Sequence, residues 1–168
     1  MKILAGRFKG LSVQTSLKMA YRPTKSVVRK SVFDRLQNFR FNKILDLFSG
    51  SGIIGFEAAS RGANEVTFVE NNIKNMNQLK INSKNFNDIK FTFYKTNVLS
   101  TINKLDNFDF IYADPPYGKV DLITLSDNIL EHLNKDGVFI LECDKNQIPF
   151  FDASVYDYGN TRILTWEK

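Results

Sequence analysis

The amino-acid sequence predicts an α/β fold built on a mostly parallel sheet, and three observations carry that prediction. Beyond residue 40, short runs of β-branched and aromatic residues alternate with stretches of helical spacing. Two of the runs, FDFIYA at 108 to 113 and GVFILEC at 137 to 143, are almost wholly apolar, as strands covered on both faces are. A glycine-rich turn, GSGIIG, joins a strand-like run to a helix-like one, where open α/β sheets bind ligands.

At the front of the chain, the pieces KILAG and LSVQT, joined by the basic turn RFKG, predict a short hairpin. Val28, Val32, Phe33, Leu36 and Phe39 then fall at helical spacing. They predict a docked helix with Arg29, Lys30 and Arg35 directed away from the core and Thr24 as its cap. Strands follow at 43 to 48, 65 to 70, 89 to 95, 108 to 113, 137 to 143, 153 to 158 and 161 to 166. Helices are predicted at 53 to 61, 71 to 84, 98 to 104 and 121 to 134. The turn Tyr158-Gly159-Asn160 makes an antiparallel hairpin of the last two strands. The 168 residues read as one domain, a basic extension over 1 to 40 packed on a catalytic core over 41 to 168.

Composition excludes several classes. No run approaches the roughly 18 apolar residues of a membrane span, and the amino terminus lacks a signal-peptide core, so a soluble cytoplasmic protein is expected. With one cysteine, Cys143, and one histidine, His132, neither a disulfide framework nor a Cys/His metal cluster can be assembled, and no metal is expected. Cys143 reads as core and His132 as helix surface. The net charge of +5 is concentrated at the front: from Met1 to Phe33 stand eight basic residues and no acidic one. That clustering is the electrostatic footprint of a phosphate-backbone contact, and Arg7, Lys9, Arg22, Lys25 and Arg29 are the candidate RNA-binding residues.

In the turn DLFSGSGIIG, Gly50 and Gly52 allow a sharp bend and a close approach to a ligand, while Gly55 permits tight helix-to-strand packing. The spacing matches the dinucleotide fingerprint, and Glu70 ends the next strand where an acid binding ribose hydroxyls belongs, so a nicotinamide-dependent oxidoreductase remains a competing reading. Asp46 at the head of the turn argues otherwise. Its carboxylate suits the ammonium of S-adenosylmethionine and opposes a pyrophosphate, and a dehydrogenase normally needs a second domain to hold its substrate.

The sharpest signal is Asp114-Pro115-Pro116-Tyr117, followed by Gly118, at the end of the fourth strand. The prolines hold rigid carbonyls that only accept hydrogen bonds. Acceptors are what an exocyclic base amine requires, since its lone pair is delocalised into the ring. Asp114 and the Pro115 carbonyl can each take one amino hydrogen, leaving the lone pair aimed at a sulfonium methyl. Tyr117 offers a stacking face worth about 1–3 kcal/mol to a base extruded from its helix. The tetrapeptide alone also permits adenine-N6 methylation of DNA or RNA.

With AGRFKG, RPT followed by VRKSVFDRL, DLFSGSGIIGFEAASRGA, VTFVENN and FDFIYADPPYG in place, nearly the whole chain resembles the RsmD-type small-subunit ribosomal RNA guanine-N2 methyltransferases. The resemblance implies a Rossmann-like class I S-adenosylmethionine-dependent fold, its seven-stranded sheet carrying an antiparallel last strand. It also implies a cofactor set of Asp46, Phe48, Gly50, Ser51, Gly52, Glu70, Asn71, Asn97, Val98 and Asp114. Asp114, Pro115, Pro116 and Tyr117 form the catalytic set, and the partner is ribosomal RNA in a small-subunit assembly particle, approached by a cytoplasmic monomer. The chain departs from the family's usual aspartate after the third strand, where Asn97 stands. Its amide carbonyl can still accept from an adenine amine, so intact but weaker cofactor binding is expected.

Overall fold

The computed structural model describes residues 1–15 and 26–168. Among them, seven strands form one sheet in the order β3-β2-β1-β4-β5-β7-β6. The strands are β1 Lys43–Leu47, β2 Glu65–Val69, β3 Lys90–Tyr94, β4 Phe108–Ala113, β5 Leu133–Asp144, β6 Ser154–Tyr158 and β7 Thr161–Glu167. The first five pair in parallel. β7 runs antiparallel to β6, as the Tyr158-Gly159-Asn160 turn predicts, and antiparallel to β5 on its other side.

Side chains alternate across the sheet, so each parallel strand feeds two cores. On one face Ile44, Phe68, Phe110 and Ile140 pack with α1 (Ser26–Arg35), α2 (Ile53–Ser60) and α3 (Ile73–Ser83) through Val28, Phe33, Phe56, Met76 and Leu79. On the other, Leu45, Ile111, Phe139 and Leu141 pack with Leu125 and Ile129 of α4 (Leu122–Glu131) and with Trp166. Helix starts are fixed by side-chain caps: Asn72 accepts from the Lys74 amide at 2.9 Å, and Asp121 from the Ile123 amide at 3.1 Å. The helix predicted at 98 to 104 is instead two 3₁₀ turns, Val98–Ser100 and Ile102–Lys104, broken at Thr101. A segment this short does not recover the nucleation cost of a regular helix. No helix among the described residues is long and apolar enough to cross a membrane.

The amino-terminal hairpin forms, with Lys2 bridged to Ser12 and the Ile3 and Val13 amides donating to Leu11 and Met1 carbonyls. It docks on the carboxyl end of α2. Gly6, at φ +82°, lies so close that a Cβ there would stand 1.9 Å from the Ser60 carbonyl oxygen, and only glycine permits the approach. Fully buried Glu57 of α2 is the hub. Its carboxylate accepts from the Leu4 and Ala5 amides at 2.7 and 3.0 Å and from Arg61 Nε at 2.8 Å.

Arg29 requires a correction. Read from sequence as a solvent-facing RNA contact, it is 3% exposed, donates to the Lys2 carbonyl at 2.8 Å and faces Glu57 at 3.8 Å. It ties α1 to the hairpin and to α2 and offers nothing to a phosphate. Thr24, the expected cap of α1, lies outside the described residues.

Glu57→Ala strips three donors of their acceptor and leaves Arg29 buried without its counter-charge. A loss of about 3–5 kcal/mol is expected, read as a lowered urea midpoint.

Candidate active site

At the carboxyl ends of β1, β2, β4 and β5 the chain leaves a cleft of about 970 Å³. Its walls bring together the glycine turn, Glu70 and Asn71 after β2, Asn97 and Val98 after β3, and the Asp114–Tyr117 loop after β4. Of the cofactor residues expected from sequence, Asp46, Phe48, Gly50, Ser51, Glu70, Asn71, Asn97, Val98 and Asp114 all line it, as do Pro115, Pro116 and Tyr117 of the catalytic set. Gly52 stands behind the wall, where a Cβ would meet Leu79 Cδ2 at 2.3 Å. Gly55 shows the predicted tight packing, since a Cβ there would come within 2.4 Å of the Phe68 ring.

Two carboxylates hold the glycine turn from below. The Gly55 amide donates to Asp46 Oδ2 at 3.0 Å. The Gly50 amide donates to Glu70 Oε2 at 2.8 Å, and the Asn72 amide to Glu70 Oε1 at 2.6 Å. Each Glu70 oxygen keeps a further lone pair for a ligand hydroxyl. Phe48 takes the left-handed region at φ +54°, an uncommon conformation for a bulky residue, stored where the turn bends. Asn97 caps the 3₁₀ turn, its Oδ1 accepting from the Leu99 amide at 2.9 Å, so its amide carbonyl has one lone pair left to share.

On the sheet face carrying α1, α2 and α3, register gathers polar side chains at two successive levels. Asp46 of β1 pairs with Tyr112 of β4, and Tyr112 with Ile140 of β5. Continuing two residues along β4 and β5 sets Asp114 and Glu142 side by side on that face. The Tyr112 hydroxyl donates to Glu142 Oε2. Burial pushes Asp46 well above the ordinary carboxylate range, against the pull of the Gly55 amide and with a further push from Glu70. Burial likewise raises Asp114 well above it, reinforced by Glu142 and then Asp46. The Tyr117 phenol is pushed up to about 12 by burial and by Glu142. A pocket with this charge pattern draws cations and groups that donate hydrogen bonds, and repels a pyrophosphate.

Tyr112, Glu142, Lys74, Lys119, Asp144 and Thr161 also line the cleft and were not singled out from sequence. Glu142 carried no distinguishing signal in the sequence, since Asp136 and Asp144 share its strand and its partners at the cleft come from elsewhere in the fold. Among the described residues, the expected RNA-binding Arg7 and Lys9 do not line the cleft. Arg7 and Lys9 occupy the hairpin turn at the far end of α2, a helix of about 12 Å from the glycine turn. There Arg7 pairs with Asp88 at 2.7 Å. Arg22 and Lys25 lie outside the described residues.

The profile of a protein family described as Conserved hypothetical protein 95 matches residues 1–157. The ribosomal RNA small subunit methyltransferase D of Buchnera aphidicola from Acyrthosiphon pisum is 33% identical over 151 residues, covering 86% of this chain and 78% of its own. A hypothetical protein of Thermus thermophilus, TTHA0928, superposes with a TM-score of 0.87 at 25% identity, covering 100% of this chain and 99% of its own. The precorrin-6y C5,15-methyltransferase of Geobacter metallireducens gives 0.70 at 17% identity over 93% and 94% of the two chains, a likeness of fold alone.

The raised Asp46 carboxyl has a stability signature. A carboxyl whose folded pKa lies above its unfolded value stabilises the fold while both states are protonated, and loses that contribution as pH rises from about 4 through the folded value. Asp46→Asn keeps an acceptor for the Gly55 amide but no charge. Its melting temperature should exceed wild type by several degrees at pH 8, with the gap closing toward pH 5, in thermal unfolding without ligand.

Proposed function

The chain belongs to the family of ribosomal RNA small subunit methyltransferase D, and from that premise we propose that it transfers a methyl group from S-adenosylmethionine to the exocyclic N2 amine of a guanine in small-subunit (16S) ribosomal RNA. The observation that carries the reading is one cleft shared by the Asp114-Pro115 acceptors, Tyr117 and the carboxylate-held glycine turn. When bound, S-adenosylmethionine supplies an electrophilic methyl on a positively charged sulfur. Asp46 would hold its ammonium, Glu70 its ribose hydroxyls, and Asn97 and Val98 its adenine.

The chain's own groups do the rest. Asp114 and the Pro115 carbonyl accept the two amino hydrogens and free the nitrogen lone pair for attack. Tyr117, 47% exposed at the rim, has a face to give to an extruded base. As a new N–C bond would form and the sulfonium S–C bond would break, leaving a neutral thioether, the amine would become acidic, and an ionised Asp114, made more basic by burial and by Glu142, would be placed to take the proton. The oxidoreductase reading loses ground to the same buried carboxylates, which oppose a pyrophosphate. We place the reaction in the cytoplasm, on RNA within a partly assembled small-subunit particle, with the protein acting as a monomer. Arg7, Lys9, Arg22 and Lys25 would contact phosphates away from the reacting base.

Tritiated methyl transfer to small-subunit RNA from a strain lacking the protein, followed by nucleoside analysis and mapping, tests the reading. N2-methylguanosine is expected, and N6-methyladenosine or no transfer would overturn it. Asp114→Ala should keep S-adenosylmethionine affinity and lower turnover by about 10²-fold or more. Replacing Arg7, Lys9 and Arg22 together should weaken RNA binding and flatten its dependence on salt, and an unchanged slope would remove them from the interface.

A further inference from the structure

We infer that a smaller pocket beyond Tyr117 holds the nucleobase next to the target in the same RNA strand, so that Tyr117 stands between two consecutive bases. The inference rests on the reading above and adds to it a second base-binding site.

Placement is the first argument. The pocket, of about 450 Å³, opens between the Asp114–Tyr117 loop, the start of α4 and the residues that follow β5. Pro115 and Tyr117 line both this pocket and the main cleft, so they belong to the wall that the two share. The main cleft, at about 970 Å³, has room for a cofactor and one base, and the space past its wall is surplus to that reaction. A base drawn in beside Asp114 keeps its neighbour attached through a single phosphodiester. The neighbour must therefore come to rest close to the same rim, where the second pocket lies.

Wall chemistry is the second. Val120, Leu122 and Ile123 give the pocket apolar surface, with Ile123 50% exposed. Asn146 and Gln147 give it side-chain amides. Gln147 Nε2 donates to the Ile148 carbonyl at 2.9 Å, which leaves its Oε1 open. An amide offers both donors and acceptors, as base edges require, while apolar walls meet the flat face of a base. A phosphate suits the pocket poorly. Among the described residues no lysine or arginine lines it, and Asp121 and Asp144 stand in its wall. Lys74 and Lys119 line the main cleft instead, so the cations available to the backbone lie on the other side of Tyr117. A small pocket of apolar and amide groups, one phosphodiester from the target, fits a base rather than the backbone.

The test uses RNA bearing the mapped target, with an abasic nucleotide placed on its 5′ or its 3′ side. With wild-type protein, the abasic nucleotide at one of the two positions should lower kcat/KM by at least about fivefold, the loss of one stacked base. Ile123→Ala and Asn146→Ala together should lower kcat/KM on intact RNA by a similar factor and leave S-adenosylmethionine affinity unchanged. On the sensitive abasic RNA the same variant should lose less than about twofold more, because the contact is already gone. A wild-type cost under about twofold at both positions would overturn the inference. So would a variant that loses equally on intact and abasic RNA, as it must if the pocket holds the target base itself or only supports the loop. Ile123 and Asn146 are both exposed, so the fold should survive their loss; should it not, Gln147→Ala gives the same comparison. A product other than N2-methylguanosine from wild-type protein on intact RNA instead overturns the parent reading, whatever the abasic series shows.

Discussion

Parallel hydrogen bonding between β1 and β4 is the constraint on which the site depends. From the end of β1 the chain passes into α2 on one face of the sheet, and from the end of β4 it passes toward α4 on the other. Neither helix can cover the gap between the two strand ends, so a cleft opens where the strand order reverses. The glycine turn and the Asp114–Tyr117 loop are the two connections that leave from this point. Their proximity follows from topology before any side chain is considered, and side chains supply the rest: acceptors on one lip and backbone amides on the other.

Buried charge is used in two different ways within one molecule. Around Glu57 the carboxylate is satisfied, with four donors or cations converging on it, and the result is a joint between the hairpin, α1 and α2. At the cleft the carboxylates are crowded together. Asp46 and Asp114 are held where ionisation is unfavourable, a condition that a bound cation and a donating base edge would relieve. The first arrangement stabilises the empty protein. The second destabilises it in return for affinity, which is the usual division between a scaffold and a binding site.

The sheet was legible because buried parallel strands leave an unmistakable trace, and FDFIYA and GVFILEC could hardly be anything else. The site loops were legible for a related reason: glycine and proline at fixed offsets constrain the backbone locally, so GSGIIG and DPPY carry their geometry with them. What escaped was long-range. Arg29 looked like its exposed neighbour Lys30 because nothing nearby in sequence reveals that Glu57, a full strand and turn later, lies beneath it. Glu142 looked like an ordinary strand end because its importance comes from Asp114 and Tyr112 on the adjacent strand. The helix expected at 98 to 104 failed through length, as composition cannot say whether seven residues will propagate a turn.

The reversed direction of β7 has a practical consequence. Running against its neighbours, it delivers Lys168 to hydrogen bonds with Gly137 and Leu133, at the foot of β5, while Glu142 and the cleft sit at the top. The amino-terminal hairpin is anchored at that same lower edge through Ser60. A label, bead or sensor surface attached at Lys168 would therefore hold the molecule by the edge that carries the hairpin and turn the cleft toward solution.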